Sequence, residues 1–133
     1  MKAVLGKAKE IICVGASSEE IPVGTSMPEG RAREERRAAR RADQIAAWVR
    51  GALSAPVLVR KLNVGHHAPT GRSRDTSDQR RLVIILVLEQ DAGANIDQAL
   101  RAAMFRETPR IPVFDTLLTQ YSLSSGTAFT WVP

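Results

Sequence analysis

Apolar and polar residues along the chain are arranged in segments that predict strands and helices in turn. Residues 10–15 form a β-branched run without polar alternation, which indicates a central strand covered on both faces. Residues 57–65 and 82–88 predict two more strands, and the second of these is the most apolar stretch and is expected to be buried. The adjacent charges of Arg60 and Lys61 place them at a strand end or a sheet edge.

Helical spacing of apolar residues follows the first strand. It predicts a long helix over residues 29–53, whose sheet-facing stripe begins with small side chains. These are Ala38, Ala42 and Ala46, which allow a close approach to the sheet. The prolines and glycines of residues 16–30 predict a long loop before this helix. A shorter helix is expected over residues 95–105, with Asn95 as its cap.

The order strand, helix, strand, strand, helix and extended segment predicts an α/β fold, an α+β sandwich. We expect a mixed sheet of about four strands with two helices on one face, because the link over residues 66–77 has no helical pattern. The chain is interpreted as one domain over 1–133, with its core at 8–106. Residues 107–133 form an aromatic-rich extension that predicts one or two further strands and a candidate contact for a homo-oligomer.

Composition narrows the setting and the partners. The chain has 133 residues and a formal net charge of +5, which favours anionic partners. The apolar segments are shorter than the roughly 20 residues that a membrane span needs, and the first residues lack a full signal-peptide apolar region. We therefore expect a cytoplasmic protein. The single cysteine, Cys13, lies in an apolar run and is expected to be a buried small hydrophobe.

Arginines are concentrated in the predicted long helix and before the third strand. Arg41 projects to the side of the apolar stripe, from where its guanidinium can reach over the sheet edge. Arg80 and Arg81 precede the strand at 82–88, and alternation turns them to opposite faces. Two arginines that converge at a strand end would bind a carboxylate or phosphate in bidentate fashion. The alternative is a pair of strand-end cations neutralised by Asp75, Asp78 or Glu89.

Several of these segments together resemble one protein family. The matching residues are Gly15-Ala16-Ser17-Ser18, Arg41-Ala42 with Ile45 and Val49, Asn63-Val64-Gly65, and Gln79-Arg80-Arg81-Leu82-Val83-Ile84. They resemble the OmpA-like domain, the C-terminal peptidoglycan-binding domain of outer-membrane and flagellar-motor proteins, whose pattern runs Gly-His-Thr-Asp, Leu-Ser-x-x-Arg-Ala, Gly-x-Gly and Asn-Arg-Arg-Val-Glu-Ile. The resemblance covers residues 10–88.

What the resemblance implies is a βαβ-type sheet that recognises a peptide stem. An aspartate and the arginine of Arg-Ala grip the charged ends of a diaminopimelate residue in that family, and Arg41 matches this arginine. Ser18 stands at the aspartate position, the intervening loop is longer, and the family's first strand and helix are absent. Glu19 or Glu20 is the candidate substitute carboxylate. The missing aspartate argues against peptidoglycan as the ligand.

Other chemistries find little support in the residues. The pair His66-His67 is a weak metal signal, and no glycine-flanked nucleophile or phosphate loop is present. We therefore predict no metal, no cofactor and no enzymatic activity, although a serine or histidine enzyme using the first loop is a third alternative.

Two binding hypotheses remain. The first is a non-catalytic binding or scaffolding module, in which a degenerate OmpA-like site holds an anionic group or a protein partner. Its candidate residues are Arg41, Arg80, Arg81, Ser18 and Glu19. The alternative is nucleic-acid or polyanion binding by the arginine-rich helix face. The basic segments contain few aromatic residues, which argues against base stacking. The residues of this alternative are Arg33, Arg36, Arg37 and Arg40, with Arg60, Lys61, Arg72 and Arg74 nearby in sequence.

Overall fold

A mixed β-sheet with a long helix on one face forms the core of the computed structural model. The structure describes residues 2–20, 23–70, 75–96, 99 and 130–132. Its elements are α1 (Lys2–Leu5), β1 (Glu10–Ser17), α2 (Met27–Ala52), β2 (Leu58–His66), a 3-10 turn (Ser77–Gln79), β3 (Leu82–Val87) and β4 (Thr130–Val132). β1 pairs parallel to β2 and antiparallel to β3. An α+β fold with a mixed sheet is therefore confirmed.

β1 is the central strand, as its uninterrupted apolar pattern predicts. All eight of its residues are buried, and it lies between β2 and β3. Ile11 and Cys13 belong to the cluster that includes the α2 side chains, whereas Ile12 and Val14 belong to a second cluster on the opposite face. Burial raises the pKa of the Cys13 thiol to about 11, in keeping with a packing role.

β3 is a half-buried strand at the sheet edge, so the expectation of a fully buried strand over 82–88 is wrong. Leu82 is 52% exposed and Leu88, just beyond the strand, is 51% exposed. An apolar run of this length indicates a strand without specifying its position in the sheet, which depends on pairing with distant segments.

The charges of β2 also lie elsewhere than expected, because Arg60 and Lys61 are in mid-strand rather than at its end. Arg60 forms an ion pair with Glu10 of β1, and Lys61 forms one with Asp43 of α2. On the outer side of β2, its residues 59–61 pair antiparallel with β4, the described part of the C-terminal extension. Neutralisation by neighbouring carboxylates permits the two cations inside the sheet.

α2 begins at Met27, so the segment predicted as a loop over 16–30 is shorter than expected. Ser26 caps the helix: its Oγ accepts a hydrogen bond from the backbone N–H of Glu29 at 3.4 Å. Pro28 falls in the first turn, where its missing N–H has no intrahelical partner to lose. The pattern Ser-x-x-Glu is a helix-start signal that outweighs the loop character of the proline and glycine.

The second predicted helix lies largely outside the described residues. Its beginning is helical, since the N–H of Ala99 donates to the carbonyl of Asn95 at 2.9 Å. Ile96 packs in the cluster with Ile12 and Val14, on the face opposite α2. The expectation that both helices cover one face is therefore wrong for this first turn. Apart from β4, the predicted extension over 107–133 lies outside the described residues.

α2 contacts β1 backbone to backbone at Gly15. A Cβ placed on Gly15 would lie 2.3 Å from the carbonyl oxygen of Ala38 and 2.5 Å from the nitrogen of Ala42. Both alanines are buried against the strand. The small side chains of α2 thus allow the close approach that the sequence predicts, and only glycine fits at residue 15.

We predict that Gly15→Ala destabilises the protein by about 3 kcal/mol or more, because the helix backbone must move away from the sheet. Gly51→Ala is the matched control: it lies in α2 with open space around it and should stabilise by roughly 0.5–1 kcal/mol. Urea unfolding of the two variants measures the difference. Equal effects of both substitutions would contradict the close contact.

Candidate functional site

The carboxyl-terminal edge of the sheet gathers most of the polar residues discussed above. β1 and β2 are parallel and end here at Ser17 and His66, and α2 starts from the loop that follows β1. Ligands of α/β sheets bind at this edge as a general rule. The segment 75–81, which leads into β3, reaches the same edge because β3 runs antiparallel to β1.

A cavity of about 90 Å³ opens at this edge. It is lined by Ser18, Glu19, Met27, Arg31, Glu34, His66, His67 and Pro69. Ser18, which stands at the family's aspartate position, is buried and is one of these residues. Of the five predicted ligand residues, Ser18 and Glu19 line the cavity.

Glu34 is a buried carboxylate in the lining of this cavity. The residue is 1% exposed, and its Oε1 forms an ion pair with the guanidinium of Arg37. Its Oε2 is buried without a hydrogen-bond partner in the described part of the chain. A buried carboxylate oxygen without a donor is costly, so this atom favours a water or a ligand group that donates to it.

Arg31 and the two histidines supply donors on the other sides of the cavity. Arg31 is exposed and makes no salt bridge with any of the described residues. His66 Nδ1 lies 3.9 Å from a carboxylate oxygen of Glu35. Burial lowers the pKa of His66, and the neighbouring Glu35 carboxylate opposes this shift. The cavity therefore contains both a cation and hydrogen-bond acceptors.

Glu19, the candidate substitute carboxylate, is occupied by bonds within the chain. Its carboxylate accepts from the backbone and hydroxyl of Thr70 and, at 2.9 Å, from the side-chain amide of Gln79. The Gln79 oxygen in turn accepts from the Glu19 backbone N–H at 2.9 Å. Burial raises the pKa of Glu19, but these hydrogen bonds outweigh it and lower the pKa to about 2. Glu19 thus links the loop after β1 to the segment that connects β2 and β3.

Arg80 and Glu20 form a second link between the same two loops. Arg80 Nη2 lies 3.1 Å from Glu20 Oε2, and the Thr76 hydroxyl donates to Glu20 Oε1 at 2.6 Å. The hydrogen bond from Thr76 and the charge of Arg80 lower the pKa of Glu20. Arg80 is therefore partnered within the chain rather than held open for an anion.

Arg41 and Arg81 meet at the backbone of Ala16. Arg41 Nη1 donates to the Ala16 carbonyl at 2.8 Å, and the Ala16 N–H donates to the Arg81 carbonyl at 3.1 Å. The Arg41 guanidinium therefore helps to fix the end of β1, while Arg81 contributes its backbone there and is an exposed residue. Neither arginine is among the residues lining the cavity.

The arginines of the alternative hypothesis lie on the α2 face turned away from the sheet. Arg33, Arg36 and Arg40 are exposed, and at about 100° per residue the four arginines fall within about 100° of helix surface. Arg37 is half-exposed and pairs with Glu34. Arg60 and Lys61 are neutralised in β2, and Arg72 and Arg74 lie outside the described residues.

Glu34 and Arg31 line the cavity but are not among the site residues predicted from the sequence. Glu34 lies four residues before Ala38 on the buried row of α2, which begins at Gly30. A carboxylate on a sheet-facing row is the signal that could have identified it, because a buried charge must be compensated by an ion pair, hydrogen bonds or a ligand. The described part of the chain contains no group of three residues suited to a metal ion.

Comparison with known proteins adds no relative. No protein-family model, no curated protein and no solved structure matches the chain. The resemblance to OmpA-like domains therefore stays a prediction. Over the described residues, no helix has the length and apolarity required to cross a membrane.

We predict that stability falls at acidic pH through Glu19. Its pKa in the folded protein is about 2 against an ordinary value of 4.5, so its contribution is complete above the unfolded value and is lost as pH falls from 4.5 toward 2. Glu19→Gln should lower the urea midpoint near neutral pH and reduce its drop between about pH 7 and about pH 3. Glu89→Gln, an exposed carboxylate after β3, is the control and should retain the full drop. An unchanged drop in Glu19→Gln would contradict the assignment.

Proposed function

We propose that the chain is a non-catalytic binding or scaffolding module with a degenerate OmpA-like site. The proposal includes a four-stranded sheet in the OmpA-like order, with the site at the carboxyl edge. The observation that carries it is the cavity in which, among the described residues, a buried carboxylate oxygen of Glu34 has no donor and Arg31 has no ion pair. Unmet hydrogen-bonding and charge requirements in one cavity favour a ligand.

The chemistry of the cavity suggests how the ligand would be held. The Arg31 guanidinium would take an anionic group, either of a small molecule or of an acidic side chain of a protein partner. Glu34 Oε2 would accept a hydrogen bond from a donor on the same ligand. A volume of about 90 Å³ is well below the roughly 300–1,000 Å³ of a pocket that holds a whole small molecule, so a single functional group or chain end would enter.

This proposal modifies the role of the predicted arginines. Arg41 and Arg80 would act as supports, since one bonds to the Ala16 carbonyl and the other to Glu20. The contact with an anion would pass to Arg31, ten residues before Arg41 on the same helix. Ser18 would remain part of the site through the cavity wall.

We predict that acetate, used as an anionic probe, causes saturable NMR shifts at the backbone amides of Ser18 and His67. Arg31→Ala should weaken this binding about tenfold or more, because it removes the cation of the cavity. Arg33→Ala removes an equal charge from the opposite face of α2 and should leave the shifts unchanged. No saturable shift, or equal loss in both variants, would contradict the proposal.

The second candidate function is binding of nucleic acid or another polyanion through the outer face of α2. The observation in its favour is the shared exposure of Arg33, Arg36 and Arg40 at spacings of three and four residues. None of the three forms a salt bridge within the described residues. Such a stripe binds phosphates with release of counterions.

For this candidate we predict duplex DNA binding that weakens between about 50 mM and 200 mM salt. The variant Arg33→Ala/Arg36→Ala/Arg40→Ala should reduce the slope of log K against log salt by about 3, or about 0.9 per arginine. Lys2→Ala/Lys7→Ala/Lys9→Ala removes the same charge from other exposed positions and is the control. An equal reduction in both triple variants would indicate net charge alone and would exclude the α2 face.

A further inference from the structure

An exposed tryptophan accompanies the arginines of α2. Trp48 is 47% exposed although the rest of its helix turn includes the fully buried Val49. Large aromatic side chains are mostly buried, and an aromatic left exposed on a charged face is a common feature of binding surfaces. Its exposure therefore calls for an explanation that the cavity at the sheet edge does not provide.

Trp48 lies on the side of α2 that bears the arginines. At about 100° per residue, it is about 20° around the helix axis from Arg37, about 60° from Arg33, about 80° from Arg40 and about 120° from Arg36. Arg40 is eight residues away, or about 12 Å along the axis. The intervening Gln44 and Ala47 are exposed and uncharged. The face thus runs from a cationic half to an aromatic end without a carboxylate along that line.

Two carboxylates of α2 lie on or beside this face. Glu29, which is exposed, lies one turn before Arg33 and about 40° from it around the helix axis. Asp43 lies about 140° from Trp48 around the axis, and it is paired with Lys61 of β2. Its charge is therefore already neutralised. The arginine half retains an excess of positive charge that complements a phosphate backbone.

We infer that this face of α2 binds single-stranded nucleic acid, with phosphates on Arg33, Arg36 and Arg40 and a base stacked on Trp48. The inference rests on the second candidate function and names its ligand class. A stacked indole needs an exposed base face, which a single strand offers and a duplex hides. Stacking on one aromatic tolerates any base, so the binding is expected to be independent of sequence.

The test uses the full chain with Trp131→Phe, which leaves Trp48 as the one tryptophan of the two in the sequence. Addition of an oligothymidylate of about 12 nucleotides should quench its fluorescence, and a duplex of equal length should bind with little quenching. Trp48→Ala should weaken binding of the single strand about tenfold while leaving that of the duplex unchanged. Trp48→Phe, which keeps a smaller ring, should have an intermediate affinity.

Gln44→Ala, one turn earlier on the same face, is the control and should retain full affinity. The inference is overturned if Trp48→Ala leaves single-strand binding unchanged, or if it weakens duplex and single strand equally. In either case polyanion binding by the arginines would stand without the stacked base. Absence of binding to both nucleic acids would overturn the polyanion function and this inference together.

Discussion

The contact of Gly15 with the backbone of α2 determines how the helix lies on the sheet. Because Gly15 has no Cβ, the backbone of α2 at Ala38 and Ala42 packs directly against the backbone of β1. The buried row of α2 is spaced by four residues and consists of small side chains at this point. A larger side chain on either partner would lift the helix and separate the groups that meet at the sheet edge.

The arrangement of polar residues at the carboxyl-terminal edge of the sheet depends on this close approach of α2 to β1. Glu34 precedes Ala38 by one turn on the same buried row, so the row that packs on β1 also carries a carboxylate to the end of the strand. Arg41, which directly precedes Ala42 of the buried row, donates a hydrogen bond to the Ala16 carbonyl. One helix therefore provides part of the cavity wall and a hydrogen bond that fixes the end of the adjoining strand. The packing of α2 on β1 therefore both forms the core and positions the residues of the site.

The sequence predicted what depends on local pattern. The buried central strand, the long helix with its alanine row and the mixed sheet follow from periodicity and loop length. The edge position of β3 and the ion pairs of Arg60 and Lys61 depend on pairing with segments distant in the chain, which local pattern does not contain. The same holds for Glu19, whose partners Thr70 and Gln79 are 51 and 60 residues away. The number of arginines can be read from a sequence, but the residues that they contact cannot.

Most of the candidate arginines in the described part of the chain fall into two groups that differ in what they contact, and this difference separates the two functional proposals. Arg41 bonds to a carbonyl and Arg80 to a carboxylate, so an incoming anion would have to compete with contacts that hold the loops in place. Arg33, Arg36 and Arg40 face solvent, where binding a phosphate disrupts nothing in the fold. Arg31 stands between the groups, exposed yet beside a cavity with a buried carboxylate. Among the described arginines, selectivity for a small ligand is expected at Arg31, because an exposed cation alone attracts any anion, whereas a cation beside a fixed acceptor requires a ligand that matches both.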